Sequence, residues 1–166
     1  MEHVESKRGI LCSFPAKKKG VQTMLMGSYE SLIDAKNRYT VPAKFRDELG
    51  KKCVLTRGLD ECLILYPMST WEEMQQKLAT LPKSDKQARA YLRFIYSKAI
   101  DCELDKQGRL VLPESYRSMA HMDKELLSIG MLDRVEIWAK EVYDADENGG
   151  KLSSEDLEKF SESYQV

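Results

Sequence analysis

The chain has 166 residues and a formal net charge of −1, with 42% hydrophobic and 32% charged residues, a profile of a soluble globular chain that argues against a disordered one. No apolar run is long enough to span a bilayer as a helix, so no membrane partner is expected. Cys12, Cys53, Cys62 and Cys102 show no C-x-x-C spacing and the only histidines are His3 and His121, so the sequence is expected to hold neither a metal, a disulfide framework nor another cofactor, and to keep free thiols in a reducing cytoplasm.

The small net charge conceals a gradient. Residues 1–23 carry +3, residues 24–140 carry +2 and residues 141–166 carry −6. A mildly basic body with an acidic tail is compatible with nucleic acid without demanding it. Residues 1–23 read as a disordered arm or an over-extended start, because Met24 opens the first well-patterned segment and the short apolar run 9–14 runs into Pro15 and three lysines.

From residue 24 the chain repeats itself. Residues 33–46 align with residues 104–117 at an offset of 71, with Asp34/Asp105, Arg38/Arg109, Pro42/Pro113 and Arg46/Arg117 identical; average residue usage gives about one such identity by chance. The similarity continues at an offset of 72, where Val54 to Gly58 match Leu126 to Gly130, Leu63 to Tyr66 match Val135 to Trp138, and Trp71 matches Tyr143. Each unit has one grammar: a strand ending at the aspartate, a tight turn, a β-rich run up to the proline, a short helix, then two further strands. Asn37 and Gly108 occupy the turn position that calls for positive φ. Pro42 and Pro113 suit the first turn of a helix, and Gly50 its end.

The spacing divides the chain into a first repeat over 24–71, a helical connector over 72–98, a second repeat over 99–143 and an acidic tail over 144–166. In the connector, Ser69-x-x-Glu72 and Ser84-x-x-Gln87 have capping-box form and Pro82 separates two helical periodicities, giving a helical hairpin. In the tail, Asp144-x-Asp146-x-Asn148-Gly149 has the spacing of a calcium loop, but Lys151 stands where an apolar residue belongs. An acidic turn before a short helix over Leu157, Phe160 and Tyr164 is the expected structure.

The duplicated Asp-x-x-x-Arg turns, each followed by β residues and Pro, resemble those of the MraZ family. So do Met24 to Gly27, Thr56 to Asp60, Leu65-Tyr66-Pro67 and Glu136-Ile137-Trp138. The resemblance covers residues 24–143. It implies an α+β fold: two tandem AbrB-like swapped-hairpin β units forming an intramolecular pseudo-dimer, joined by the helical hairpin. It also implies a cytoplasmic, nucleoid-associated regulator of transcription, a repressor of a division and cell-wall gene cluster, assembling as a homo-oligomeric ring on short direct repeats of double-stranded DNA. The family's DNA-contacting motif carries onto Asp34, Lys36 and Arg38 in the first unit and Asp105, Lys106 and Arg109 in the second. Departures from the family pattern are Asn37 where glycine is usual, Met26 where a basic residue is frequent, and the extension over residues 1–23.

Physical chemistry gives those residues distinct tasks. An arginine at a hairpin edge can offer its fork to guanine, an aspartate four residues earlier can orient that fork, and Lys36, Lys44 and Lys106 suit phosphates. The residues alone leave an alternative open, in which the two Asp/Arg pairs only pin their turns. Lys86, Arg89 and Arg93 in the connector read as a solvated helix face or an accessory phosphate contact. An enzyme is not expected: no histidine is placed for a hydrolase triad, no glycine loop is built for phosphates, and each turn aspartate comes with its own arginine. The competing functional reading is an oligomeric protein-interaction ring that binds no DNA directly, with a toxin-binding antitoxin behind it.

Overall fold

A computed structural model describes residues 24–145 and 152–165. The arm over 1–23, and Asp146, Asn148 and Gly149 of the calcium-like spacing, lie outside the described residues. The first repeat supplies β1 (Leu25–Leu32), β2 (Arg38–Thr40), α1 (Ala43–Leu49), β3 (Lys52–Arg57) and β4 (Leu63–Pro67). Helices α2 (Met68–Ala79) and α3 (Lys86–Tyr96) follow, then β5 (Ile100–Glu103), β6 (Arg109–Val111), α4 (Glu114–Met119), β7 (Glu125–Leu132), β8 (Val135–Ala139) and α5 (Lys140–Asp144). The tail carries α6 (Ser154–Tyr164) over the expected Leu157, Phe160 and Tyr164. The molecule is α+β, as the resemblance implies.

The strands pair between repeats as well as within them. One antiparallel sheet runs β1-β7-β8-β4-β3-β5, and a two-strand ribbon pairs β2 with β6. Reversing the sheet order exchanges β1 with β5, β7 with β3 and β8 with β4, so the two repeats are related by a pseudo-two-fold axis. The aspartate turn therefore does not fold β1 back onto β2. It sends β1 to β7 and β2 to β6 of the other repeat.

Alternation along the strands fills a layer on each face of the sheet. On one face, Cys53, Leu55, Leu63, Leu65, Leu126, Val135 and Ile137 pack with Tyr39 and Leu110 of the ribbon and with Phe45 of α1 and Tyr116 of α4. On the other, Val54, Ile64, Tyr66, Leu127 and Trp138 pack against Trp71 and Leu78 of α2 and Ile95 of α3. The Arg57 guanidinium lies 4.5 Å from the Phe94 ring centre, and Thr56 Oγ1 donates to the Ile95 carbonyl at 3.4 Å, tying α3 to β3. The connector thus covers the face opposite the ribbon.

Four local expectations shift. First, β3 matches β7 at an offset of 73, not 72: Cys53 pairs with Cys102 as Leu126 pairs with Ser31, and Val54 pairs with Tyr66 as Leu127 pairs with Trp138. An offset of 72 would match Val54, which faces the helices, to Leu126, which faces the ribbon, since a one-residue slip exchanges the faces of a strand. Met122 and Asp123 lengthen the second repeat ahead of β7, and the offset returns to 72 in β4 and β8. Second, Pro42 and Pro113 are N-cap residues whose ψ values of 133° and 148° lie outside the helix, one residue before the expected position. Third, Ser69 lies inside α2, which starts after Pro67 without a side-chain cap. Fourth, α3 is capped by Asp85 instead of Ser84, through bonds from the Gln87 and Ala88 amides, where a carboxylate also meets the positive end of the helix dipole. Gly50 closes α1 at φ 73° as expected.

Candidate nucleic-acid interface

The two turns are built alike. In the first, Asp34 Oδ1 accepts from the amides of Lys36 and Arg38, both at 2.9 Å, and Oδ2 accepts from Arg38 Nε at 2.6 Å. In the second, Asp105 Oδ1 accepts from the amides of Gln107 and Arg109 at 2.9 Å, and Oδ2 from Arg109 Nε at 2.8 Å. This is an Asx turn extended by two residues, which is why a short acid must begin it. The chain reverses at Asn37 and Gly108, at φ 59° and 75°. Their carbonyls then accept from the amides of Leu112 and Val41 in the opposite repeat, both at 2.9 Å. Each turn is therefore clamped to the other repeat's ribbon strand.

In the ribbon, Arg38 lies opposite Val111, Tyr39 opposite Leu110 and Thr40 opposite Arg109. Tyr39 and Leu110 face the core, at 0% and 5% exposure. Alternation then places Arg38, Thr40, Arg109 and Val111 together on the outer face, with the two arginines diagonal neighbours, about 7–8 Å apart by the geometry of an antiparallel pair. Tyr39 holds the ribbon down: its buried hydroxyl shares a 2.7 Å hydrogen bond with Ser128 Oγ in β7, and burial pushes its pKa well above the usual tyrosine value.

Electrostatics keep the turns charged. The Arg38 amide, foremost, then the Arg38 guanidinium and the Lys36 amide hold the Asp34 carboxyl below its ordinary value against a desolvation effect. At Asp105 desolvation is the largest single effect and acts upward, but the Arg109 amide and guanidinium and the Gln107 amide together outweigh it and lower the carboxyl. An aspartate held ionised and using both oxygens is a poor proton donor near neutrality. It is well suited to fixing an arginine by Nε, which leaves the terminal nitrogens for other acceptors.

All six candidate residues lie on these turns, but the two lysines are not equivalent. Lys36 occupies the place of Gln107, whereas Lys106 stands one residue earlier, in the place of Ala35. The sequence reading passed over four neighbours. Gln107 Oε1 accepts from Arg109 Nη2 at 3.2 Å, and no such brace for Arg38 occurs among the described residues. Arg46 Nε donates to the Val41 carbonyl at 2.9 Å and Arg117 Nε to the Leu112 carbonyl at 3.1 Å, so the second identical arginine of each repeat anchors the end of its own ribbon strand. Val111 is 59% exposed on the outer face beside Arg38 and Arg109. The repeat identity of Arg46 and Arg117 was the available signal; nothing in the spacing marked Gln107 or Val111.

The comparisons with known proteins agree with a tandem duplication. The family model described as "MraZ protein, putative antitoxin-like" matches twice in tandem, over residues 24–94 and 95–161. A protein of Moorella thermoacetica named Transcriptional regulator MraZ is 52% identical over 117 residues, covering 70% of this chain and 82% of its own. Proteins of the same name from Thermoanaerobacter sp. (strain X514) and Caldanaerobacter subterraneus subsp. tengcongensis are 49% and 45% identical, covering 81% and 86% of this chain and 94% and 100% of their own. With both repeats matched and the relatives aligned over most of their length, this chain belongs to the MraZ family.

Proposed function

We propose that this protein is a transcription regulator that binds double-stranded DNA sequence-specifically through its two Asp-x-x-x-Arg turns, and that it has no catalytic role. One observation carries the reading: Arg38 and Arg109 share the outer face of a two-strand ribbon, each held by Nε from its own aspartate. The B-DNA major groove admits a two-strand β-ribbon, and an arginine fork on guanine O6 and N7 contributes about 1–3 kcal/mol of discrimination. Thr40 and Val111 beside the forks supply methyl groups of the kind that contact thymine. Exposed Lys36 and Lys106 lie in the turns that lead into this ribbon and exposed Lys44 lies in α1 just after it, and all three suit phosphates. Asp34 and Asp105 act by orienting the arginines.

The family resemblance supports the finer parts of the proposal: short direct repeats as the target, a homo-oligomeric ring as the binding form, repression of a division and cell-wall gene cluster, and a cytoplasmic, nucleoid-associated location. Evenly spaced repeats favour an oligomer, because each ribbon adds a weak contact at high effective concentration. Selection from a randomised duplex pool tests the core of this reading. Convergence on a short sequence is expected; a pool without enrichment after repeated rounds, from folded protein, would reject sequence-specific binding.

A further inference from the structure

The two turns differ in what lies beside them. A cavity of about 340 Å³ opens next to the second turn, with Arg46, Lys51, Leu104, Asp105, Lys106 and Gly108 in its wall. Both repeats build it: Arg46 and Lys51 come from the end of α1 and the residue after Gly50, the others from the second turn. Its charge is cationic. The one carboxylate, Asp105, already has both oxygens engaged by Arg109 and by backbone amides. Among the described residues Arg46 gives only Nε, to the Val41 carbonyl, and its guanidinium lies so close over Gly108 that a Cβ there would collide with it. Lys106 is exposed and has no ion pair among the described residues. Lys51 pairs with Glu103 at 2.8 Å, but both side chains are more than half exposed, and such a pair yields readily to a stronger anion.

The matching places beside the first turn carry different chemistry. Ala35 stands where Lys106 does, and Asn37 where Gly108 does. The Lys124 carbonyl accepts from Ile33 as the Lys51 carbonyl accepts from Leu104, both at 2.9 Å, but Met122 and the exposed Asp123 intervene between α4 and Lys124. The pseudo-two-fold axis is broken at this point: the first turn carries its lysine one place later, at Lys36 in the position of Gln107, and has Asp123 next to Lys124 in sequence, whereas Lys106 lines the cavity beside the second turn.

Resting on the DNA-binding reading above, we propose that the Arg46–Lys51–Lys106 cavity is a subsite for one phosphodiester of the DNA backbone, and that it gives the pseudo-symmetric unit a direction along the duplex. A strictly two-fold ribbon would fit a site equally well in both orientations. One phosphate held beside the second turn makes the orientations unequal, which suits a target repeated head to tail.

The test compares the full-length wild type with Lys51→Gln/Lys106→Gln. Both substituted side chains are exposed, and the variant's fold is checked by its thermal transition. The probes are the duplex enriched by selection and a scrambled duplex of equal length, across a salt series, with phosphate-ethylation interference on the enriched duplex. The variant is expected to weaken binding to both duplexes by the same factor and to flatten the dependence of log K on log salt by about 0.9 per phosphate lost. One interfering phosphate, off the centre of the site, is expected to disappear. An unchanged slope and interference pattern would overturn the subsite while leaving sequence-specific binding intact. A wild type that does not distinguish the duplexes, but whose salt slope the variant still flattens, would remove the sequence-specific reading and keep the subsite. Failure of the wild type to bind either duplex would remove both. Exchanging chloride for inorganic phosphate at constant ionic strength is expected to leave wild-type affinity unchanged; displacement would reassign the cavity to free phosphate and overturn the proposal.

Discussion

At the scale of single residues, the turns depend on a few oriented bonds whose strength responds to pH. Asp34 and Asp105 have lowered carboxyl pKa values in the folded chain. Their contribution to stability is full above the unfolded value of 3.8 and is lost as pH falls through the lower folded values. Urea unfolding followed from about pH 6 downward is therefore expected to show a steeper acid loss for the wild type than for Asp34→Asn/Asp105→Asn. Equal acid sensitivity would show that these carboxyls are not held by their turns. Tyr39→Phe removes the partner of a fully buried Ser128 hydroxyl and is expected to cost about 1–3 kcal/mol of unfolding free energy measured in urea; a neutral result would mean that the ribbon is not anchored there. Much of this scale was legible in the sequence, because an Asx turn is local: Asp, Arg and an αL-tolerant residue sit within five positions. Gln107 on Arg109 escaped notice because side-chain bracing two residues apart has no spacing signature of its own.

At the scale of elements, β1 depends on how closely it can approach β7. Gly27 and Gly130 lie opposite each other, and a Cβ on Gly130 would stand 2.5 Å from the Met26 backbone nitrogen. Gly130→Ala must push the strands apart, so a loss of roughly 1–3 kcal/mol is expected by denaturation, in the range of overpacked cores. A variant as stable as the wild type would place β1 elsewhere. The elements themselves were mostly readable from alternation and turn residues. Their boundaries were less so. The offset of 73 in β3 and β7 was hidden because runs of apolar residues such as Val54-Leu55 and Leu126-Leu127 align almost as well one place off, and only the two faces of the packed sheet distinguish the registers. Asp85 displaced Ser84 as a cap because both can accept from the α3 amides, and the sequence does not state which one the chain turns at.

For the whole molecule, each repeat finishes the other. Among the described residues β1 pairs only with β7, and β2 with β6, so residues 24–94 produced alone would expose two unpaired strands and an uncovered core. That fragment is expected to be unfolded or to pair with a second copy, as judged by circular dichroism and sedimentation; a folded monomer would contradict the interleaved arrangement. Pairing across repeats could not be read from periodicity, since a local hairpin and an exchanged one bury the same alternate residues. Only the resemblance implied it. The same interleaving brings Arg38 and Arg109 onto one face, and on that face the functional account stands. The most direct test is a gel shift on the DNA upstream of this protein's own gene, at two salt concentrations, with wild type and Arg38→Ala/Arg109→Ala side by side. Specific, salt-sensitive retardation by the wild type is expected, with a loss of roughly 30-fold or more in the variant, at about 1–3 kcal/mol per arginine, and with thermal stability and assembly retained. A folded double variant that binds the same fragment with undiminished affinity would contradict it.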